Sequence, residues 1–169
     1  LGRDENGRWR VLADRVQAPS GIAFALENRV ATTRVLPDIF QNMSIHRLAP
    51  FFGKFRKMFQ GLNPASDGLV GILTPGPMNE GYFEHTYIAR FLGLMLLEGE
   101  DLILQGGELM VKTVDGLFPL RVVWRRIDGI YADPLELKEN SRLGTPGLLG
   151  AIRKQEVTVV NAVSYTHLT

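Results

Sequence analysis

Two short segments hold the side chains best suited to chemistry. The loop Thr74-Pro75-Gly76-Pro77-Met78-Asn79 follows an apolar run at 69–73 and precedes a helical pattern at 80–92. Free backbone N–H groups at such a strand-to-helix junction favour an anion such as phosphate or carboxylate. Asn79 can cap the helix, and Glu80 and Glu84 suit its positive end. A plainer reading stands beside this one, in which these residues only stabilise the helix. The loop has neither the Gly-Lys-Ser/Thr ending of a P-loop nor the glycine spacing of a dinucleotide fingerprint. The second segment, Arg125-Arg126-Ile127-Asp128, follows a strand pattern at 120–124. Adjacent strand residues point to opposite faces, so one arginine can enter a cleft while the other meets solvent or pairs with Asp128. Arginine suits two-pronged recognition of carboxylate or phosphate. A surface ion pair is the competing reading. The candidate substrate- or phosphate-binding residues are Gly76, Asn79, Glu80, Arg125, Arg126 and Asp128.

Other chemistries find less support. His46 and His85 form no HxxxH or HxxE arrangement, and His85, beside Glu84, reads as a packed or partly exposed side chain rather than a ligand. There is no Gly-x-Ser-x-Gly elbow. The chain has no cysteine, which excludes disulfides, thiolate metal sites and a cysteine nucleophile, and fits a reducing compartment such as the cytoplasm. The net charge of +1 gives no bulk electrostatic reason to bind nucleic acid or a membrane surface. The expected partner is therefore a small-molecule or peptide-like substrate. The longest strongly apolar run, 91–97, falls far short of the roughly 20 residues of a membrane helix.

The elements that must position these groups read as an α/β chain with a mixed sheet. At 169 residues there is room for one domain or two small lobes. Residues 1–13 read as a β-hairpin turning tightly at Asn6-Gly7 in a type I′ turn. Ser20 is placed to cap a helix whose stripe is Ile22, Leu26 and Val30. Pro37 starts a short helical turn, and a helix over 48–62 buries Phe51, Phe52, Phe55 and Phe59. A linker at 61–68 leads to the α/β segment. Gly106-Gly107 and Asp115-Gly116 mark hairpin turns. Asp133-Pro134-Leu135-Glu136 opens a short helix, Thr145-Pro146 another ending near Arg153, and 157–162 is a last strand. The expected division is 1–66, 67–163, and a tail at 164–169 that fits no periodic element and reads as non-native. The chain begins at Leu1 rather than Met and reads as a fragment.

Many short blocks in one order resemble a known family. They include Trp9-Arg10-Val11-Leu12-Ala13-Asp14-Arg15, Gln17-Ala18-Pro19-Ser20-Gly21 and Leu26-Glu27-Asn28-Arg29. Further blocks are Leu73-Thr74-Pro75-Gly76-Pro77, Asn79-Glu80, Tyr82-Phe83-Glu84-His85, Arg125-Arg126, Asp133-Pro134-Leu135 and Gly144-Thr145-Pro146-Gly147-Leu148. The chain resembles the circularly permuted ATP-grasp proteins of type 2, which are related to glutathionylspermidine synthetase-like peptide ligases. The resemblance implies an enzyme that uses ATP and Mg²⁺ to turn a carboxylate into an acyl phosphate, which an amine converts to an amide. It implies a Rossmann-like pre-ATP-grasp lobe over 71–162 and the end of an ATP-grasp lobe over 1–21, with Asp14, Ser20 and Gly21 as residues of that nucleotide lobe. Many members carry a Glu-x-Asn metal pair where this chain reads Ala13-Asp14-Arg15. Ala13 cannot coordinate a cation and Arg15 would repel one, which leaves Asp14 as the candidate metal ligand. Two readings follow: part of a carboxylate–amine ligase, or a catalytically silent domain that binds a ligand or partner. An unrelated Rossmann-type binding module is a third, which leaves the N-terminal blocks without an explanation.

Overall fold

The computed structural model describes residues 1–12, 17–63 and 66–161. Asp14 with its neighbours Ala13 and Arg15, and the tail at 164–169, lie outside the described residues. The elements run β1 (Gly2–Arg3), β2 (Trp9–Arg10), α1 (Ile22–Val35), α2 (Pro37–Asn42), α3 (Ala49–Leu62), β3 (Leu69–Leu73), α4 (Tyr82–Leu92), β4 (Met95–Leu97), β5 (Leu102–Gln105), β6 (Glu108–Thr113), β7 (Gly116–Arg125), α5 (Leu148–Arg153) and β8 (Thr158–Val160). The result is an α/β fold with a two-stranded hairpin and a six-stranded mixed sheet. Among the described residues, no helix is long and apolar enough to cross a membrane.

The sheet is ordered β4-β3-β7-β6-β5, with β8 also on β7. Strands β4, β3 and β8 run parallel to their partners, whereas β5, β6 and β7 form an antiparallel meander. Strand β7 belongs to both halves. Its first residues pair with β6, and Leu120 to Arg125 pair with β3. The ladder continues past the strand ends, with Arg126 N–H donating to Leu73 O and Thr74 N–H to Leu97 O, each at 2.8 Å. The chain leaves β3 through α4 to β4 on one side, while β7 lies on the other. That is the switch point at which open α/β sheets form a crevice.

Strand alternation assigns each side chain to a face. Ile72, Val122 and Trp124 pack under α1, α3 and α4 with Ala23, Leu26, Phe52, Phe59, Ile88, Ala89 and Leu92. Leu73 and Val123 face the other way, toward Leu102, Leu109, Val111, Ile127, Leu148 and Ala151. Helices from the first 62 residues therefore share a core with the sheet that follows them. The same period of two puts Arg126 in line with Val122 and Trp124, and Arg125 in line with Val123.

Several local expectations are corrected. In the first hairpin only Gly7 of the Asn6-Gly7 pair has positive φ (73°), so the turn is not type I′. Asp4 sets it instead: its carboxylate accepts from Asn6 N–H at 3.0 Å and Arg8 N–H at 2.9 Å, while Gly7 N–H reaches Asp4 O. On α3, Phe52 and Phe59 are buried but Phe51 is half exposed. Helix α4 begins at Tyr82 rather than residue 80, because Asn79 Oδ1 accepts from Gly81 N–H at 2.8 Å and holds a turn there. It ends as expected at Gly93, which takes the left-handed conformation.

Asp133 opens no helix of its own. Its buried carboxylate accepts from Leu135 N–H (2.9 Å), Gly147 N–H (3.1 Å) and Leu149 N–H (2.9 Å), and so caps α5 from 14 to 16 residues away. Removing a carboxylate that satisfies several enclosed donors leaves them unpaired, at a cost of about 1–3 kcal/mol for such a group. Asp133→Ala is expected to lower the stability of the chain by about 2–4 kcal/mol in urea unfolding. A loss below about 0.5 kcal/mol would remove this capping role.

Candidate functional site

A cleft of about 310 Å³ opens at the carboxyl ends of β3 and β7, lined by Ala18, Ser20, Phe24, Asn79, Glu80, Gly81, Glu84, His85, Arg126 and Asp128. The loop after β3 and the segment after β7 therefore meet at one rim.

At the floor, Glu84 is 1% exposed and Arg126 4%. One oxygen of Glu84, Oε1, accepts from Gly21 N–H at 2.7 Å and Ala23 N–H at 3.1 Å. These are free donors of the first turn of α1, where a negative charge is favoured. Ser20 supplies no cap; Gly21 is the N-cap, with φ 112° and no side chain to offer. The other oxygen, Oε2, stands 3.5 Å from Arg126 Nη2. Arg126 Nη1 donates to Pro19 O, and the guanidinium lies 5.0 Å from the centre of the Trp124 ring. Burial lowers the Arg126 pKa from its ordinary value, and Glu84 opposes that shift. Among the described residues, Arg126 Nε and Glu84 Oε2 find no hydrogen-bond partner. A buried guanidinium N–H without a partner is costly unless something accepts from it.

His85 forms the adjoining wall. Its Nδ1 lies 2.8 Å from Thr74 Oγ1, which accepts from Gly76 N–H at 3.3 Å. If the ring donated to Thr74, the buried hydroxyl proton would have no acceptor among the described residues. We therefore assign the hydroxyl as donor to Nδ1 and the ring proton to Nε2. That nitrogen faces Gly81, where an added Cβ would lie 3.1 Å from it. Burial, helped by the Arg126 charge, lowers the His85 pKa to about 4. At neutral pH the ring is an uncharged donor.

The structure separates the candidates. Asn79, Glu80, Arg126, Asp128 and Ser20 line the cleft. Arg125 does not, and it does not meet solvent either; burial lowers its pKa, and the charge of Asp128 opposes that shift. It is 1% exposed on the opposite face, where Nε donates to Asn161 O at 2.8 Å, Nη1 to Ile127 O, and Nη2 to Gln17 Oε1 at 3.2 Å. Gly76 also turns away. With φ 93° it packs so that a Cβ would lie 2.8 Å from Glu98 Oε2. Gly21 contributes its N–H to Glu84 rather than a surface to the cleft. The sequence alone reads Glu84 as suiting the helix start and His85 as a packed or partly exposed side chain, whereas the structure sets both in the wall and floor of the cleft. The signal for both was present in the sequence: the buried stripe Ile88, Ala89 and Leu92, carried back one turn, falls on Glu84 and His85.

The donor set fits an acceptor group on a ligand, not a metal ion. No group of three or more His, Cys, Asp or Glu able to hold a metal occurs among the described residues, and the floor presents N–H donors.

Residues 1–166 match the family model of circularly permuted ATP-grasp type 2. An uncharacterized protein of Synechocystis sp. is 38% identical over 96% of this chain and 34% of its own length. Uncharacterized proteins of Mycobacterium leprae and Mycobacterium tuberculosis are 34% and 37% identical over 96% of this chain, with 29% and 19% of their own lengths covered. The chain thus spans about a third or less of the curated relatives it matches.

The depressed His85 pKa links stability to pH. Between about 6.5 and 4 the unfolded chain binds a proton at His85 that the folded chain refuses. The contribution is complete above about 6.5 and is lost as pH falls toward 4, a change of about 3 kcal/mol. Urea unfolding at about pH 7 and about pH 4.5 is expected to show a larger loss for the native chain than for His85→Gln. Equal losses would contradict the buried neutral ring.

Proposed function

The chain belongs to the circularly permuted ATP-grasp type 2 family, and from that premise we propose that it is the part of an ATP-dependent carboxylate–amine ligase that holds an anionic reactant at the carboxyl ends of β3 and β7. The reaction proposed for the whole enzyme is amide formation by way of an acyl phosphate. The observation that carries the reading is Arg126, a buried guanidinium in the cleft whose Nε has no partner among the described residues. Enclosure by Trp124, Glu84 and His85 keeps water from competing and strengthens a hydrogen bond formed there. His85 adds an N–H without adding charge, and Glu84 fixes the guanidinium from below.

Mg²⁺ has no donor set among the described residues. ATP and Mg²⁺ are expected on other parts of the longer polypeptide, consistent with the share of each relative that this chain spans. A silent binding domain is the second reading, favoured by Ala13-Asp14-Arg15 where a metal pair is expected.

The test is ADP release by the full-length parent with Mg-ATP and panels of carboxylates and amines. Turnover that needs both is expected. Arg126→Lys keeps a charge beside Glu84 but loses the planar fork, and should raise the KM of the anionic reactant about tenfold or more. Tight Mg-ATP binding with no turnover on any pair would favour the silent domain. An unchanged KM in Arg126→Lys would remove the cleft from substrate binding.

A further inference from the structure

The charge pattern of the cleft narrows what it can hold. Among the described residues, its lining carries one guanidinium, Arg126, against three carboxylates, Glu80, Glu84 and Asp128, and His85 is neutral. Glu84 is already committed, with one oxygen on the α1 N–H groups and the other beside Arg126. A simple anion entering this cleft would find donors at the floor but an excess of negative charge around it. A phosphate dianion would meet that excess with both of its charges. A simple cation would suit the carboxylates but leave Arg126 Nε and His85 Nε2 without an acceptor.

Position sharpens the argument. Arg126 and His85 are buried, whereas Glu80 and Asp128 are exposed. The donors therefore lie at the floor and the exposed carboxylates at the mouth, where Asp128 Oδ1 also accepts from Ile130 N–H at 3.3 Å. A ligand that satisfies both ends carries its acceptor group inward and a positive charge outward.

We propose that the cleft binds the headgroup of an amino-acid-type zwitterion, with its carboxylate on Arg126 Nε and His85 Nε2 and its ammonium beside Glu80 and Asp128. This rests on the ligase reading and names the class of its anionic reactant. The amino end faces the opening of the cleft. Glu80 and Asp128 are the residues that select a free ammonium, and Arg126 and His85 those that select the carboxylate.

Glycine, the smallest such zwitterion, tests this against three matched probes: N-acetylglycine without the cation, glycinamide without the anion, and inorganic phosphate. Binding is read on the full chain from the NMR signals of Arg126 Nε–H and His85 Nε2–H. Glycine is expected to shift both signals saturably and to bind at least about tenfold more tightly than any other probe. The pair Glu80→Gln and Asp128→Asn should bring glycine down to the level of N-acetylglycine with the His85–Thr74 contact intact. N-acetylglycine or phosphate binding as tightly as glycine would overturn the zwitterion and leave an anion site. Glycinamide binding as tightly as glycine would overturn the carboxylate assignment. No shift with any probe up to about 50 mM, a limit beyond millimolar affinity, would overturn the headgroup site itself. ADP release by the parent would still judge the ligase reading independently.

Discussion

The carboxylate of Glu84 is the constraint on which the site depends. It is buried with one oxygen on the N-terminus of α1 and the other beside Arg126. Each interaction gives the other a reason to persist. A carboxylate removed from water is tolerated only where charge and donors compensate it, and a buried guanidinium needs a counter-charge for the same reason. Because Glu84 sits on α4, the first turn of α1 and the end of β7 are located relative to that helix by one side chain. Arg126 adds a second tie to the entry of α1 by donating to Pro19 O.

Arg125 performs the complementary task on the other face. It ties the end of β7 to Asn161 O beyond β8 and to Gln17 in the segment entering α1. Gln17 Oε1 also accepts from Gly129 N–H at 3.3 Å. Two adjacent arginines of opposite orientation thus grip the same short stretch, residues 17–19, from both faces of the sheet. Of the two, Arg126 lines the cleft, and its buried Nε has no hydrogen-bond partner among the described residues. One residue builds the scaffold, and its neighbour is the one proposed to meet a ligand.

Much of this was legible in the sequence, and what was not has physical causes. Apolar runs, glycine pairs and the helical spacing of Ile88, Ala89 and Leu92 identify the strands, the Gly106-Gly107 hairpin and α4, because burial imposes periods of two and 3.6. Strand alternation also shows that Arg125 and Arg126 diverge. It does not show which of them enters the cleft, since that depends on which face α4 covers. Ser20 caps no helix and Asp133 caps a distant one, for a shared reason. Local rules seek a cap within the first turn, whereas α1 and α5 are capped by carboxylates brought in by tertiary structure. Gly76 lies in the expected loop, but the side on which it lacks a Cβ abuts Glu98, and its N–H is taken by Thr74 Oγ1.

The central claim is that Glu84 and Arg126 act as one unit. A double-mutant cycle with Glu84→Gln and Arg126→Gln, followed by urea unfolding, measures this directly. The structure predicts a coupling of about 2 kcal/mol or more, because each single change strands a buried charge that the double change does not. Additive losses, with coupling within about 0.5 kcal/mol of zero, would contradict it.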